Sequence, residues 1–117
     1  MKKLLSLCLL FVFVQVNAQT KLPTWSLGPF IRPEGVNPVI SPNAGSKFFD
    51  PIKQLQIDWE SNDTFNPAAT LKNGKIYVLY RAEDKSGKGI GQRTSRIGLA
   101  ESGDGLTMKR AETPVVF

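Results

Sequence analysis

The 117-residue sequence contains no histidine and only one cysteine, Cys8. Without histidine the chain has neither a Ser-His-Asp triad nor a His-ligated zinc site, and one thiol supplies neither a disulfide framework nor a multi-cysteine zinc site. We therefore predict no metal site and no cofactor. Charged residues make up 21% and hydrophobic residues 41% of the chain, which is typical of an ordinary folded protein rather than a disordered one.

The chain has little excess charge. The formal net charge is +5, and it falls to +3 if Lys2 and Lys3 are removed, because thirteen basic residues then face ten acidic ones. So small a surplus gives no support to a polyanionic partner, and export, which the N-terminus indicates, argues further against nucleic acid.

The N-terminus has the pattern of a secretory signal peptide. The basic residues of Met1-Lys2-Lys3 precede an apolar run over 4–14, and Val16-Asn17-Ala18 has β-branched and small residues where a signal peptidase cuts. The run is too short to span a bilayer core of roughly 30 Å. Cys8 lies inside it without a preceding small residue, so we expect no lipid anchor. The pattern predicts a signal peptide over 1–18 and export to the periplasm or beyond, after cleavage near Ala18.

The next segment, 19–64, is predicted to be an irregular arm rich in proline and glycine. Proline fixes φ and lacks an N–H donor, so regular helix is excluded where prolines recur this often. We expect Trp25, Phe30 and Ile31 to anchor the arm by packing. The prolines at short intervals are Pro23, Pro29, Pro33, Pro38 and Pro42.

Residues 65–117 show the pattern of short antiparallel strands. Asn73-Gly74 is a strong signal for a type I′ hairpin turn, and Ile76–Arg81 is rich in β-branched and aromatic residues. A second tight turn is predicted at Ser102–Gly105. The remaining predicted strands are Ala68–Leu71, Ser95–Glu101 and Leu106–Arg110, and Val115–Phe117 begins a further apolar run. Four such strands are the content of one β-propeller blade or half a β-sandwich, and one blade buries neither of its faces alone.

Three short motifs carry polar groups that suit a ligand site. Phe65-Asn66-Pro67-Ala68-Ala69 offers an amide, which also fits a simple Asx-type turn into a strand. Tyr80-Arg81-Ala82-Glu83-Asp84 ends a strand with an Arg that suits a hydroxyl-rich or anionic ligand, or a local Arg–Glu pair. Ser95-Arg96-Ile97-Gly98-Leu99-Ala100, followed by Ser102-x-Asp104-Gly105, also reads as a plain strand and turn. Gly87–Gly91 is not a phosphate loop, because no Lys-Ser/Thr ending follows it.

Taken in order, these motifs and Asn37-Pro38-Val39-Ile40 resemble glycoside hydrolase family 130. The resemblance implies an all-β fold, with this chain as the N-terminal arm and first blade of a five-bladed β-propeller. It implies cleavage of β-mannosides with inversion, by hydrolysis or by phosphorolysis. By the same resemblance Asn66 and Arg81 contact the mannosyl unit in the active-site pocket. Arg96 is a further candidate for binding in that pocket, and Asp84 and Glu83 lie at its rim.

The resemblance also identifies what this chain lacks. The family's general acid lies in a Glu-Asp-Pro-Arg-like motif, which is absent here, and Asp50-Pro51 is followed by Ile52 and precedes the Asn66 motif. We therefore assign no catalytic residue within the chain and expect the general acid beyond Phe117. An inverting hydrolase needs two carboxyl groups about 6.5–9.5 Å apart, whereas a phosphorylase uses inorganic phosphate as co-substrate in place of water and base.

Three functions stay open from the sequence. Export favours a hydrolase acting on a mannose-containing oligosaccharide or glycan, because a phosphorylase gains most where its sugar phosphate stays inside the cell. The second is phosphorolysis that yields mannose 1-phosphate. The third is a non-catalytic carbohydrate-binding β-domain or an inactive fragment, for which the two Trp and two Tyr residues would supply stacking faces.

Overall fold

The computed structural model describes residues 22–89 and 91–117. The predicted signal peptide, 1–18, lies outside the described residues. The chain divides into two compact units, Met1–Ile31 and Arg32–Phe117. No helix in the described part of the chain is long and apolar enough to cross a membrane.

Residues 22–31, the described part of the first unit, have no regular strand or helix. A turn is closed by Ser26, whose N–H and Oγ both donate to the carbonyl oxygen of Pro23, at 2.9 and 2.8 Å. Trp25, Phe30 and Ile31 are 84–85% exposed. The prediction that these three side chains are packing anchors is therefore wrong for the described structure.

The second unit consists of β-strands, which confirms the predicted all-β class. Every strand pairing in it is antiparallel. The first two strands form a two-stranded sheet, and the next four form a four-stranded sheet in chain order. The strands are β1 (Phe48–Asp50), β2 (Leu55–Ile57), β3 (Asp63–Lys72), β4 (Lys75–Glu83), β5 (Ser95–Ser102) and β6 (Lys109–Arg110).

The strands do not begin at the predicted boundary between arm and blade at residue 64. β1 and β2 lie inside the segment that the prolines predict to be irregular, and β3 begins at Asp63. The hairpin of β1 and β2 forms where prolines are sparse, and its turn is closed by Asp50, whose Oδ1 accepts the N–H groups of Ile52 and Lys53 at 2.9 and 3.0 Å.

The β3–β4 hairpin forms as the Asn-Gly pair predicts. Asn73 and Gly74 have φ values of 52° and 76°, the two positive angles that a type I′ turn requires. Lys72 and Lys75 are the last paired residues before the turn. The twist of this turn matches that of the strands, and β3 and β4 pair continuously from the turn back to Ala68 and Leu79.

β6 is shorter than predicted, because backbone N–H groups of its expected first residues are hydrogen-bonded in the preceding turn. The strand expected over Leu106–Arg110 is reduced to Lys109–Arg110. The N–H groups of Leu106 and Thr107 both donate to Oδ1 of Asp104 at 2.8 Å, so they are unavailable to a strand ladder. These N–H donors, that of Thr107 first, hold the pKa of Asp104 well below its usual range.

The chain returns to β5 after β6. Val115 and Val116 exchange backbone hydrogen bonds with Ile97, at 2.8 and 2.9 Å. The Phe117 ring lies 4.9 Å from that of Phe48, centroid to centroid. The apolar run at Val115–Phe117 therefore continues the edge of the same sheet instead of starting a new element.

Side chains alternate between the two faces of the four-stranded sheet. Even-numbered residues of β5 are buried and odd-numbered ones half-buried, as a period of two requires. The even-numbered face is covered by β1, β2 and Trp59. The apolar cluster formed there consists of Phe48, Ile57, Trp59, Tyr80, Ala82 and Ala100, with Ile40 and Met108 packed against them, and Val78 on the same face is also buried.

The odd-numbered face has no such cover among the described residues. Leu79 is 45% exposed, and Leu99 and Tyr77 are half-buried. These side chains line an open groove of about 620 Å³ beside Ala68 and Thr70. One face of the sheet is thus a packed core, and the other is an apolar surface open to solvent.

Arg96 on β5 ties the hairpin of β1 and β2 to the sheet. Its side chain is fully buried between two carboxylates: Nη2 donates to Oδ2 of Asp50 at 2.6 Å, and Nη1 to Oδ2 of Asp84 at 2.8 Å. The N–H of Lys53 and then the Arg96 guanidinium hold the pKa of Asp50 below its usual value. Burial raises the pKa of Asp84, but hydrogen bonds from Ser86 and Arg96 outweigh it, and the net direction is downward.

Gly98 is required because the Tyr80 ring occupies the place of its side chain. The two residues face each other across β4 and β5, and a Cβ on Gly98 would lie 2.4 Å from Tyr80 Cζ. We predict that Gly98→Ala lowers the free energy of unfolding by about 2–3 kcal/mol, since the ring is buried and has no room to move. Gly103→Ala is the matched control, because nothing lies within 4 Å of that position. Equal urea midpoints for the two purified variants would contradict the packing.

The carboxylates around Arg96 predict acid sensitivity. Both have a lowered pKa in the folded protein, so their contribution to stability is complete above the unfolded pKa, about 3.9, and is lost as pH falls through the lowered folded values. We predict that Asp84→Asn costs roughly 3 kcal/mol at pH 7 and flattens the loss of stability between pH 5 and pH 2. Urea unfolding over that range, read by circular dichroism, measures both effects.

Asp58→Asn is the control for that prediction. Asp58 pairs with Lys47 at 3.8 Å on the surface, with side chains 51% and 62% exposed. Exposed pairs contribute little, so this variant is expected to stay within about 0.5 kcal/mol of the parent. An acid profile that is the same for all three proteins would refute the role of the Arg96 cluster.

Candidate functional site

Asn66 lies in a β-bulge at the edge of the sheet. The pairing of β3 with β4 moves from Phe65↔Arg81 to Ala68↔Leu79, so Asn66 and Pro67 together oppose the single residue Tyr80. Pro67 has no N–H to give to the ladder, which is one reason that prolines in sheets occur at bulges and edges. Asn66 adopts φ 49°, a left-handed conformation that Asn tolerates, and its side chain is exposed.

Arg81 is the cross-strand neighbour of Phe65 and therefore lies beside the bulge. Its guanidinium carbon stands 4.8 Å from the centroid of the Phe65 ring, in a cation–π arrangement. The Arg81 side chain is 41% exposed. The fold thus brings the backbone of Asn66 on β3 close to that of Arg81 on β4, two of the residues that the motifs predict.

Two neighbours fix the guanidinium of Arg81. Its Nε donates to Ser95 Oγ at 2.8 Å, and its Nη2 donates to Glu83 Oε1 at 3.0 Å. Ser95 Oγ in turn donates to the same Glu83 oxygen at 2.8 Å. The local Arg–Glu pair considered from the sequence is therefore present. It leaves the Nη1 edge of Arg81 without a hydrogen bond to any described residue.

Glu83 is more buried than Arg81, to which it is hydrogen-bonded. Only 6% of Glu83 is exposed, and its second carboxylate oxygen is 3.7 Å from Nη1 of Arg93. Arg93 also donates to Asp63 Oδ2 at 2.8 Å, which links this group to the start of β3. One carboxylate oxygen of Glu83 thus accepts two hydrogen bonds within the protein, and the other lies near the Arg93 guanidinium.

Arg96 and Asp84 lie together but away from Asn66 and Arg81. Arg96 belongs to the even-numbered, covered face of the sheet, whereas Arg81 belongs to the odd-numbered face. Asp84 is 3% exposed and accepts from Arg96 and from the N–H of Ser86. The four residues predicted for one site therefore form two separate pairs, one exposed and one buried.

A second buried polar group surrounds Glu60, which the sequence analysis did not single out. Glu60 accepts hydrogen bonds from Tyr80 Oη at 2.8 Å, from Arg110 Nη1 at 3.0 Å and from Ser46 Oγ. Burial, and then the bond to Glu60, raises the pKa of Tyr80 far above its usual value. Glu60 has no local sequence signal, since its side-chain partners lie 14 to 50 residues away, and Arg96, the partner of Asp50 on β5, is 46 residues away.

The exposed pair is suited to binding rather than to bond cleavage. Asn66 offers a donor and an acceptor on one amide, and Arg81 offers a fixed planar donor, which together match the hydroxyl groups of a polyol. Within 22–89 and 91–117, no group of three or more acidic or cysteine side chains is placed to hold a metal ion.

Several known proteins are similar to this chain. No family model matches the chain. A curated relative, a 1,2-β-oligomannan phosphorylase of Thermoanaerobacter sp. (strain X514), is 38% identical over 70 residues, which cover 56% of this chain and 22% of that protein.

Solved structures are more similar. A glycosyl hydrolase from Bacteroides ovatus is 64% identical with a TM-score of 0.75, over 82% of this chain and 27% of that one. A second structure is 65% identical with a TM-score of 0.73, over 80% of this chain and 26% of that one. It comes from work showing that the GH130 family of mannoside phosphorylases contains glycoside hydrolases that target β-1,2 mannosidic linkages in Candida mannan.

The chain spans about a quarter of the length of these relatives. At this level of identity the likeness extends to sequence as well as to fold. It confirms the resemblance that the ordered motifs predict: this chain is similar to a segment of proteins of glycoside hydrolase family 130.

Proposed function

We propose that this chain is the first part of an exported enzyme that cleaves β-linked mannosides with inversion, and that Asn66 and Arg81 bind the mannosyl unit. The observation that carries the proposal is the bulge at Asn66, which leaves an exposed amide next in sequence to Phe65, the residue whose ring contacts the fixed guanidinium of Arg81. A sugar presents adjacent hydroxyl groups, and such a pair of polar groups is complementary to them.

The relatives support the same substrate class. The curated relative is described as acting on 1,2-β-oligomannan, and the GH130 work concerns β-1,2 mannosidic linkages. We propose β-1,2-linked mannosides as the first substrates to test. Arg96 and Asp84, which the sequence also suggests for binding, are proposed to support the site indirectly, because both are buried and Arg96 donates to Asp84 and to Asp50.

The sheet itself supports the proposal of a propeller blade. Four antiparallel strands in chain order make up a blade, and blades pack face to face around an axis. The open odd-numbered face, with Leu79 and Leu99, is suited to contact a following blade of a five-bladed propeller. In such an arrangement the general acid and the residues that choose between water and phosphate come from other blades.

Hydrolysis and phosphorolysis are the two reactions to separate. We favour hydrolysis, because the predicted signal peptide over 1–18 directs the enzyme away from cytoplasmic phosphate metabolism. The alternative is phosphorolysis, which the phosphorylase among the relatives supports. In that reaction inorganic phosphate cleaves the mannoside and gives mannose 1-phosphate.

The test is an assay of the complete polypeptide, purified after export, on β-1,2-mannobiose with and without inorganic phosphate. We expect an N-terminus at Gln19, release of free mannose, and no dependence on phosphate. Mannose 1-phosphate that forms only with phosphate would establish the phosphorylase instead. Binding of mannobiose without cleavage would leave a carbohydrate-binding protein, and neither binding nor cleavage would refute the proposal.

A further inference from the structure

We propose that Glu83 is the positioning residue of this site, which acts by holding Arg81 in the orientation that receives the sugar. This inference rests on the proposed function, because it takes a mannoside as the ligand of Arg81. It assigns to Glu83 a role within the protein, in place of the direct rim contact that the family resemblance implies.

The first support is the closed set of hydrogen bonds around Glu83. One oxygen of this carboxylate accepts from Arg81 Nη2 and from Ser95 Oγ, and Ser95 Oγ also accepts from Arg81 Nε. Each of the three side chains therefore contacts the other two. A guanidinium held at two nitrogens cannot rotate about its terminal bonds without breaking both contacts.

The second support is the way Phe65 completes the restraint. The guanidinium carbon of Arg81 lies over the Phe65 ring, at 4.8 Å from its centroid, while Ser95 and Glu83 hold Nε and Nη2. The edge that carries Nη1 is the one left for a ligand. An Arg that is fixed before binding loses less rotamer freedom when the sugar arrives, so the arrangement favours affinity.

The third support is that Glu83 is itself immobilised and shielded. It is 6% exposed, and Arg93, which also binds Asp63 on β3, stands 3.7 Å from its second oxygen. A carboxylate this deeply buried, with one oxygen accepting two hydrogen bonds inside the protein, is poorly placed to bind a sugar directly. It is well placed to fix the residue that does.

The test measures steady-state kinetics on β-1,2-mannobiose with the complete polypeptide. Glu83→Gln keeps the size of the side chain but weakens a charge-assisted hydrogen bond, so we expect KM to rise about tenfold with kcat changed less than about threefold. Ser95→Ala should change KM in the same direction. Glu101→Gln is the control, since Glu101 pairs only with Lys75 among the described residues, on the same sheet and away from Arg81.

A double-mutant cycle separates positioning from general destabilisation. If Glu83 acts through Arg81, then Glu83→Gln has no further effect on KM in an Arg81→Ala background. An effect of equal size in both backgrounds, or no effect in either, would overturn the inference. Thermal unfolding of every variant identifies any that fail to fold, and Ser95→Ala then replaces Glu83→Gln in the cycle.

A second readout does not depend on catalysis. In wild-type protein the Arg81 Nε–H should give a sharp, slowly exchanging ¹⁵N NMR signal, which Glu83→Gln and Ser95→Ala weaken and Glu101→Gln does not. If the wild type shows no activity or binding with any β-mannoside, the proposed function fails, and this signal still decides whether Glu83 holds Arg81. If the enzyme is active but the signal is unaffected by Glu83→Gln, the positioning role alone fails.

Discussion

The contact between the Tyr80 ring and Gly98 organises the rest of this structure. The ring lies over the glycine backbone of the neighbouring strand, stacks at 6.4 Å from Trp59 and donates its hydroxyl to the buried Glu60. It therefore joins β4, β5 and the segment that covers them. The position opposite Tyr80 on β3 is the bulge, so the same residue also marks the point where the sheet edge changes register.

Side chains alternate between the two faces of a strand, so the packing of Tyr80 in the core also determines where Arg81 lies. Because successive side chains point to opposite faces, fixing Tyr80 in the core directs Arg81 to the other face, where Phe65, Ser95 and Glu83 receive it. A shift of one residue would bury Arg81 and expose Tyr80. Packing on the even-numbered face of the sheet thus determines the orientation of Arg81 on the opposite face.

Local features of the sequence predict the strands well. Asn73-Gly74 determines a hairpin turn by its own backbone angles, and the β-branched and aromatic residues of β4 have few alternatives to a strand. The all-β class and the order of three central strands follow from such neighbours. The shortening of β6 does not, because it depends on Asp104 drawing two backbone N–H groups into a turn.

The site is less predictable for a physical reason. Asn66 and Arg81 are joined by a hairpin whose turn is visible in the sequence, so their proximity is almost a local property. Arg96 meets Asp50 over a separation of 46 residues, and no local pattern distinguishes an Arg that binds a ligand from one that binds a distant carboxylate. A family motif identifies which residues matter but not the face of the sheet on which each one lies.

The bulge at Asn66 and Pro67 has one more consequence, which concerns the outer edge of β3. Among residues 22–89 and 91–117 this edge has no neighbouring strand, and a regular edge of ten residues would offer an unbroken row of N–H and C=O groups to any other extended chain. The bulge bends that row and interrupts its register, so a second strand finds no continuous template. The irregularity that displays the amide also protects the protein from self-association through strand addition.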